Sequence, residues 1–310
     1  SGIGLMEIDQ MKKEGYDEEF SCAITAASAT VGPIFPPSIP MVIYAMLSGA
    51  SIGKLFMGGM VPGVLLAILL MIYVAFISHK RNYPAGVVMS KREFLKATLQ
   101  ALPALFTVVI LLGGIYSGIC TPTEAGAVAS AYALIISALI YKTLGWKKLW
   151  GIIKKSAANT ATLALLCGTS MLFSYIISLE QVPRVVASLV MGITDNKYIF
   201  LFIVNIVFLL LGCVLDVSTI QLVFVPMVLP LVQAMGIDLV HFGVVICLNM
   251  MIGLSTPPFG MLLFIVSGLG KTKIKGVIRE ILPMVLIMIG LLFLVTYVPD
   301  IIMFIPNNFM

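Results

Sequence analysis

Two short stretches break otherwise apolar helical pattern in the same way. Thr30-Val31-Gly32-Pro33-Ile34-Phe35-Pro36-Pro37-Ser38-Ile39-Pro40 carries four prolines, and Asn249-Met250-Met251-Ile252-Gly253-Leu254-Ser255-Thr256-Pro257-Pro258 carries two. Proline removes a backbone donor and blocks helical continuation, so carbonyls normally used inside the helix are freed. The flanking segments set where this happens. With 60% hydrophobic and 11% charged residues in 310, and a mean hydropathy of +1.10, the chain holds far more apolar surface than a soluble core absorbs. Several runs are long enough to cross a hydrocarbon core of about 30 Å, which takes roughly 20 helical residues. An all-α, polytopic membrane protein is the expected fold class.

Apolar spans read at 19–48, 55–78, 101–118, 122–143, 157–180, 197–213, 238–270 and 281–304, with 19–48 and 238–270 broken. Between 197 and 236 an apolar arm reaches Gly212, polar residues follow at Asp216, Ser218 and Thr219, and an apolar arm returns through Pro226 and Pro230. That pattern predicts a re-entrant hairpin, because irregular backbone at membrane depth is tolerated only inside protein or beside a watery cavity. Charge tests the map. With the hairpin entering and leaving on one face, a single set of loops holds Lys12 and Lys13, the 80–96 cluster, the 142–155 cluster and the 271–279 cluster. Of the 19 basic residues only Lys54, Arg184 and Lys197 fall opposite. The basic set is therefore cytoplasmic. The net charge of +5 reports orientation and not a nucleic-acid stripe.

A shift of 221 residues superposes Gly15-Tyr16-Asp17 on Gly236-Ile237-Asp238, Gly32 on Gly253, and Pro36-Pro37 on Pro257-Pro258. It also places Gly49 on Gly270, Lys54 on Lys275 and Pro62 on Pro283. The chain thus contains a duplication, and the charge map makes its copies inverted. Paired Gly/Pro-interrupted spans in inverted repeats point to a secondary transporter's binding site near the bilayer midplane. The division that follows is 1–62 as first-repeat transport segment, 63–156 as scaffold and connecting helices, 157–270 as second-repeat transport segment and 271–310 as a C-terminal scaffold helix.

Freed carbonyls with the Thr30 and Ser38 hydroxyls at the first break, and with Ser255, Thr256 and the Asn249 amide at the second, are hard oxygen ligands suited to Na⁺. Asp216 at the hairpin tip is an ionisable residue at membrane depth, a functional candidate by default, although capping the returning helix explains it too. Thr121-Pro122-Thr123-Glu124 has capping-box spacing, which accounts for Glu124. Lys91–Gln100 and Trp146–Lys155 are basic and amphipathic, and predict membrane-surface helices. Cys22, Cys120, Cys167, Cys213 and Cys247 are scattered singly, and His79 and His241 lack acidic or cysteine neighbours, so no zinc site or disulfide framework is indicated. Gly49–Leu55 is one residue short of a phosphate loop and lacks the Ser/Thr after Lys54. No nucleophile–base pair or cofactor motif marks an enzyme. A channel with re-entrant filter segments is the alternative to a transporter, and the inverted pair favours the transporter.

Gly32–Pro40, Thr121-Pro122-Thr123-Glu124-Ala125, Gly236-Ile237-Asp238 with His241-Phe242-Gly243, and Gly253–Gly260 together resemble the large membrane subunit of tripartite ATP-independent periplasmic (TRAP) transporters over essentially the whole chain. The resemblance implies an elevator-type, Na⁺-coupled importer of organic acids, of the C4-dicarboxylate or sialic acid kind, in the bacterial inner membrane. It also implies a soluble periplasmic substrate-binding protein and a small four-helix membrane subunit as partners. On that resemblance one Na⁺ site involves Thr30, Gly32, Pro33 and Ser38, and the other Gly212, Gly253, Ser255 and Thr256. Asp216, Thr219, Asn249, Pro36 and Pro257 line the substrate cavity, and no cofactor besides the coupling ion is implied. Family members carry a Ser/Gly-rich first hairpin tip ahead of the segment matching Gly4–Gly15, and an N-terminal part bearing that tip is expected to precede Ser1.

Overall fold

The computed structural model describes residues 2–84, 90–194 and 196–309. These form fourteen α-helices and no strand. Seven of the helices are long and apolar enough to span a membrane, and the protein is a multi-pass, all-helical one. It divides into two compact units, Ser1–Ala85 with Leu172–Met310, and Gly86–Met171.

The second unit holds α5 (Lys91–Tyr116), α6 (Pro122–Leu139) and most of α7 (Trp146–Leu179). The helices α5 and α6 pair along their length, with Tyr132 Oη donating to the Pro103 carbonyl at 3.0 Å and Tyr141 Oη to that of Gln100 at 2.7 Å. Glu124 makes the expected capping box: the Thr121 amide donates to its carboxylate at 2.8 Å while Thr121 Oγ1 accepts from the Glu124 amide at 3.3 Å. The expectation of membrane-surface helices at Lys91–Gln100 and Trp146–Lys155 is corrected. Both stretches are the first turns of α5 and α7, continuous with the spans that follow. Good helix formers run through Lys154-Lys155-Ser156-Ala157-Ala158 without a stop signal. At 34 residues α7 is about 51 Å long.

In the first unit the duplication becomes physical. One copy runs α1 (Gly2–Lys13), α2 (Glu18–Ala29), α3 (Ile39–Ser48) and α4 (Ile52–Lys80). The other runs α9 (Lys197–Val214), α10 (Val217–Ala234), α11 (Leu239–Leu254), α12 (Met261–Gly270) and α13 (Ile274–Tyr297). Two short helices, α8 (Val182–Ile193) and α14 (Asp300–Phe309), complete the unit. Thus 281–304 is not a single span: Pro299 disfavours the helical region for Val298, whose φ is −118° and ψ 79°. Each copy turns at a left-handed glycine, Gly15 or Gly236, two residues before the Asp that starts the broken helix, Asp17 or Asp238. The copies interlock reciprocally: α2 packs on α12 and α13, as α11 packs on α3 and α4, while α10 meets α3 as α1 meets α12.

Contacts along these pairs give their directions. Gly276 lies against Glu19 and Met288 against Thr30, so α2 and α13 run parallel. Asn205 meets Asn249 and Gly212 meets Gly253, so α9 and α11 do too. Ten-residue α12 continues for about 15 Å past the second break to Gly270, whose carbonyl accepts from Lys12 Nζ at 2.6 Å. The α9–α10 hairpin therefore turns beside the break, well short of the end marked by Lys12.

At that end one guanidinium joins three helices. Arg81 Nη1 donates to Asp17 Oδ2 at 3.0 Å and to Tyr83 Oη at 3.1 Å, and Nη2 donates to both oxygens of Glu280 at 3.0 and 2.7 Å. Its Cζ stands 5.1 Å from the centroid of the Phe20 ring. Burial, together with the hydrogen bond to Asp17, pushes the Tyr83 phenol above its usual range, so it remains a donor to that carboxylate. The Glu280 and Arg81 side chains are 20% and 32% exposed, between the surface pairs that contribute almost nothing and the buried ones whose breaking is severe. Arg81→Leu is expected to lower the stability of the purified protein by about 1–2 kcal/mol, read as a drop in thermal unfolding midpoint, with a smaller drop at high ionic strength.

Candidate functional site

The first break begins where α2 ends at Thr30, which is fully buried. The Thr30 hydroxyl donates to the Ala27 carbonyl at 2.7 Å and lies 3.5 Å from Met288 Sδ on α13. The Ile34 and Phe35 amides both turn back to the Val31 carbonyl, at 3.1 and 3.0 Å. After the cis Pro36–Pro37 bond, Ser38 caps α3, accepting from the Met41 amide at 3.3 Å while its hydroxyl donates to the Pro33 carbonyl. Thr30, Pro33, Pro36 and Ser38 are thus parts of one turn, whereas Gly32 faces outward.

The second break is built more tightly. The Thr256 amide donates to the Gly253 carbonyl at 2.9 Å and its hydroxyl to that of Ile252 at 2.7 Å, which leaves the hydroxyl lone pairs free. Ser255 is fully buried and its Oγ has no protein partner. The Leu254 and Thr256 carbonyls converge on Gly260, where a Cβ would stand 3.2 and 2.9 Å from their oxygens. The Pro257 carbonyl lies 3.9 Å from Cys213 Sγ on the hairpin, and Pro257–Pro258 is cis.

Hairpin and break meet backbone to backbone. A Cβ on Gly253 would lie 2.6 Å from Gly212 Cα and 3.1 Å from the Leu209 carbonyl oxygen; one on Gly212 would lie 3.0 Å from Gly253 Cα. Only two glycines allow that approach, which brings the tip residues to the second break. Asp216 is the N-cap of α10: its Oδ2 accepts from the Thr219 amide at 3.1 Å, and its Oδ1 from the Thr219 hydroxyl. Asp216 and Thr219 thus hold the hairpin tip together, half-buried.

Asn249 faces α9 and not the break. Its Nδ2 donates to the Asn205 carbonyl at 2.9 Å and to Asn205 Oδ1 at 2.8 Å. Asn205 Nδ2 in turn donates to Thr296 Oγ1 on α13 at 3.0 Å. The Asn249 Oδ1, like the Ser255 Oγ and the Gln221 Oε1, is buried without a protein partner. Sequence reasoning passed over Asn205 and Gln221, yet each is a lone amide inside an apolar arm, a placement that itself signals function or a buried partner. Cys213 reads in the sequence only as one of five singly scattered cysteines, and nothing in its pattern marks its place beside the second break.

These groups are neutral hard oxygens: carbonyls, hydroxyls and amides. Such a donor set suits a small hard monovalent cation and not a transition metal, which prefers imidazole or thiolate. No cluster of three or more His, Cys, Asp or Glu side chains occurs among the described residues.

Residues 1–301 match the family profile described as "Tripartite ATP-independent periplasmic transporter, DctM component". The chain belongs to the DctM family. This DctM-family chain is 40% identical over 309 residues to the sialic acid TRAP transporter large permease protein SiaM of Vibrio cholerae, covering 100% of itself and 72% of that protein. It is 36% identical to the C4-dicarboxylate TRAP transporter large permease protein DctM of Pseudomonas aeruginosa, covering 99% and 72%. Against the sialic acid TRAP transporter permease protein SiaT of Haemophilus influenzae it is 38% identical, covering 99% of itself but 50% of the relative.

Because the Gly212–Gly253 contact has backbone on both sides, no side-chain rotation relieves an added methyl there. The helix-propensity gain of Gly→Ala is about 1 kcal/mol, against an overpacking cost of typically 1–3 kcal/mol. Gly253→Ala is therefore expected to destabilise the protein and to increase hydrogen exchange at residues 209–216, whereas Gly268→Ala, inside α12 with open space around its Cβ position, stabilises it slightly and leaves that exchange unchanged.

Proposed function

We propose that this chain is the large permease of a Na⁺-coupled secondary transporter that imports an organic acid across the bacterial inner membrane. The observation that carries the reading is the second break: the Leu254 and Thr256 carbonyls close on Gly260 and the Ser255 hydroxyl is buried without a protein partner, with a hairpin tip set against them through Gly212 and Gly253. A cation bound there coordinates free carbonyls that lipid cannot satisfy and fixes the hairpin against α11. Ion binding then favours one arrangement of the tip over another, and this differential affinity is what couples ion to substrate. The first break, with Thr30, Gly32, Pro33 and Ser38, holds a second cation.

The relatives' names, sialic acid and C4-dicarboxylate permeases, support a carboxylate as cargo. Asp216, Thr219, Pro36 and Pro257 border the substrate path, whereas Asn249, turned to Asn205, braces α11 against α9; Asp216 orders the tip and does not contact an anion directly, since two negative charges repel. A periplasmic binding protein delivers the substrate, and a small four-helix membrane subunit completes the membrane part. The reciprocal packing of the two copies favours elevator-type alternating access over a channel.

The test is uptake by the full-length permease reconstituted with its small subunit and binding protein, across sialic acid and C4-dicarboxylates, under an imposed Na⁺ gradient. Thr256→Val is expected to raise the half-saturating Na⁺ concentration about tenfold, the loss of one ligand worth about 1.4 kcal/mol. Uptake that ignores Na⁺, or a Thr256→Val protein with wild-type Na⁺ dependence, defeats the assignment. Single-channel currents in place of saturable uptake would establish the channel instead.

A further inference from the structure

We propose that Gln221 is a positioning residue that couples the two helix breaks, tying the hairpin tip of the second copy to the helix that leaves the first break. This rests on the transport reading above and extends it to a residue outside both ion-binding sets. Gln221 lies five residues after Asp216 on α10 and is fully buried. Its Nε2 donates across the repeats to the Pro40 carbonyl at 3.0 Å, in the first turn of α3, and lies 3.4 Å from Cys247 Sγ on α11. Among the described residues, no other side-chain hydrogen bond joins α10 to α3.

Folding stability does not account for the choice of residue. The Gln221 Oε1 is buried with no protein partner, and an unpaired buried amide oxygen destabilises a fold where an apolar side chain of similar shape does not. Neighbouring positions on α10 are apolar and buried, Ile220, Leu222 and Val225 among them. A glutamine there, with its amide oxygen unpartnered and its amide nitrogen spanning two elements, is placed to transmit movement.

Both ends of the strut sit next to parts that ion binding organises. On one side, a little over a turn of α10 separates Gln221 from the Asp216–Thr219 cap. On the other, Pro40 is two residues past Ser38, whose hydroxyl closes the first break onto the Pro33 carbonyl. A shift of the tip that follows cation binding at the second break therefore pulls on the Pro40 carbonyl and, through α3, on Ser38. The hairpin supplies the two-state element that such coupling requires. By linkage the effect is reciprocal, so an ion at the first break also steadies the tip.

The experiment uses the full-length permease with its small subunit in lipid nanodiscs. Hydrogen exchange is followed in peptides covering 38–46 and 215–223 as NaCl replaces choline chloride at constant ionic strength. In wild type, one Na⁺ concentration half-protects both segments. In Gln221→Leu, and in Gln221→Met as a second apolar variant, the two half-protection concentrations separate by about fivefold or more, while the unfolding midpoint in choline chloride is not lowered. Coincident half-protection in both variants overturns the proposal, as does a lowered unfolding midpoint with unchanged Na⁺ responses, which would make Gln221 a packing residue only. If Na⁺ protects neither segment in wild type, the Na⁺-coupled reading itself fails and the coupling role fails with it.

Discussion

A helix broken within the hydrocarbon layer exposes N–H and C=O groups that lipid cannot satisfy, and the first unit meets that demand twice. At the first break the chain turns its amides onto the Val31 carbonyl and its hydroxyls onto those of Ala27 and Pro33. At the second it does the same with Gly253 and Ile252, but the accounting is incomplete. The Ser255 hydroxyl is left without a partner, and the Leu254 and Thr256 carbonyls converge. The second break thus carries surplus oxygen beyond what its own turn uses.

The neighbours of each break exist to keep it dry and in position. A backbone-to-backbone approach of Gly212 and Gly253 brings the hairpin tip to the second break, and Asn249, Asn205 and Thr296 clamp α11, α9 and α13 together behind it. Helix α3 wedges into the second copy through Gln221 and through Tyr44, whose hydroxyl donates to the Leu239 carbonyl at 2.9 Å. Each copy thus supplies the walls for the other's break, which is why neither half reads as an independent domain.

Duplication did not preserve every use of a residue. Asp17 and Asp238 occupy matching positions ahead of the broken helices. Asp238 caps its own helix through the Val240 and His241 amides, at 2.7 and 3.0 Å. Asp17 makes no such cap and instead takes Arg81 and Tyr83. The position counterpart to Arg81 is Ile302, a buried apolar residue near Gly58.

Much of this was legible in the one-dimensional pattern. Apolar run lengths and proline and glycine punctuation each depend on local sequence or on a single transfer free energy, so they report spans, breaks and repeat without a fold. The capping of α6 by Thr121 and Glu124 is local in the same way. Where the reading went astray, at Lys91–Gln100, Trp146–Lys155 and 281–304, helix continuity was decided by which residues could carry or stop a turn, a finer signal than hydropathy. Tertiary structure alone decided that Gly212 meets Gly253, that Asn249 turns to Asn205 and away from the break, and that Gln221 reaches Pro40 across 181 residues. Those outcomes depend on which faces of separate helices come together, and periodicity carries no information about a partner so distant along the chain.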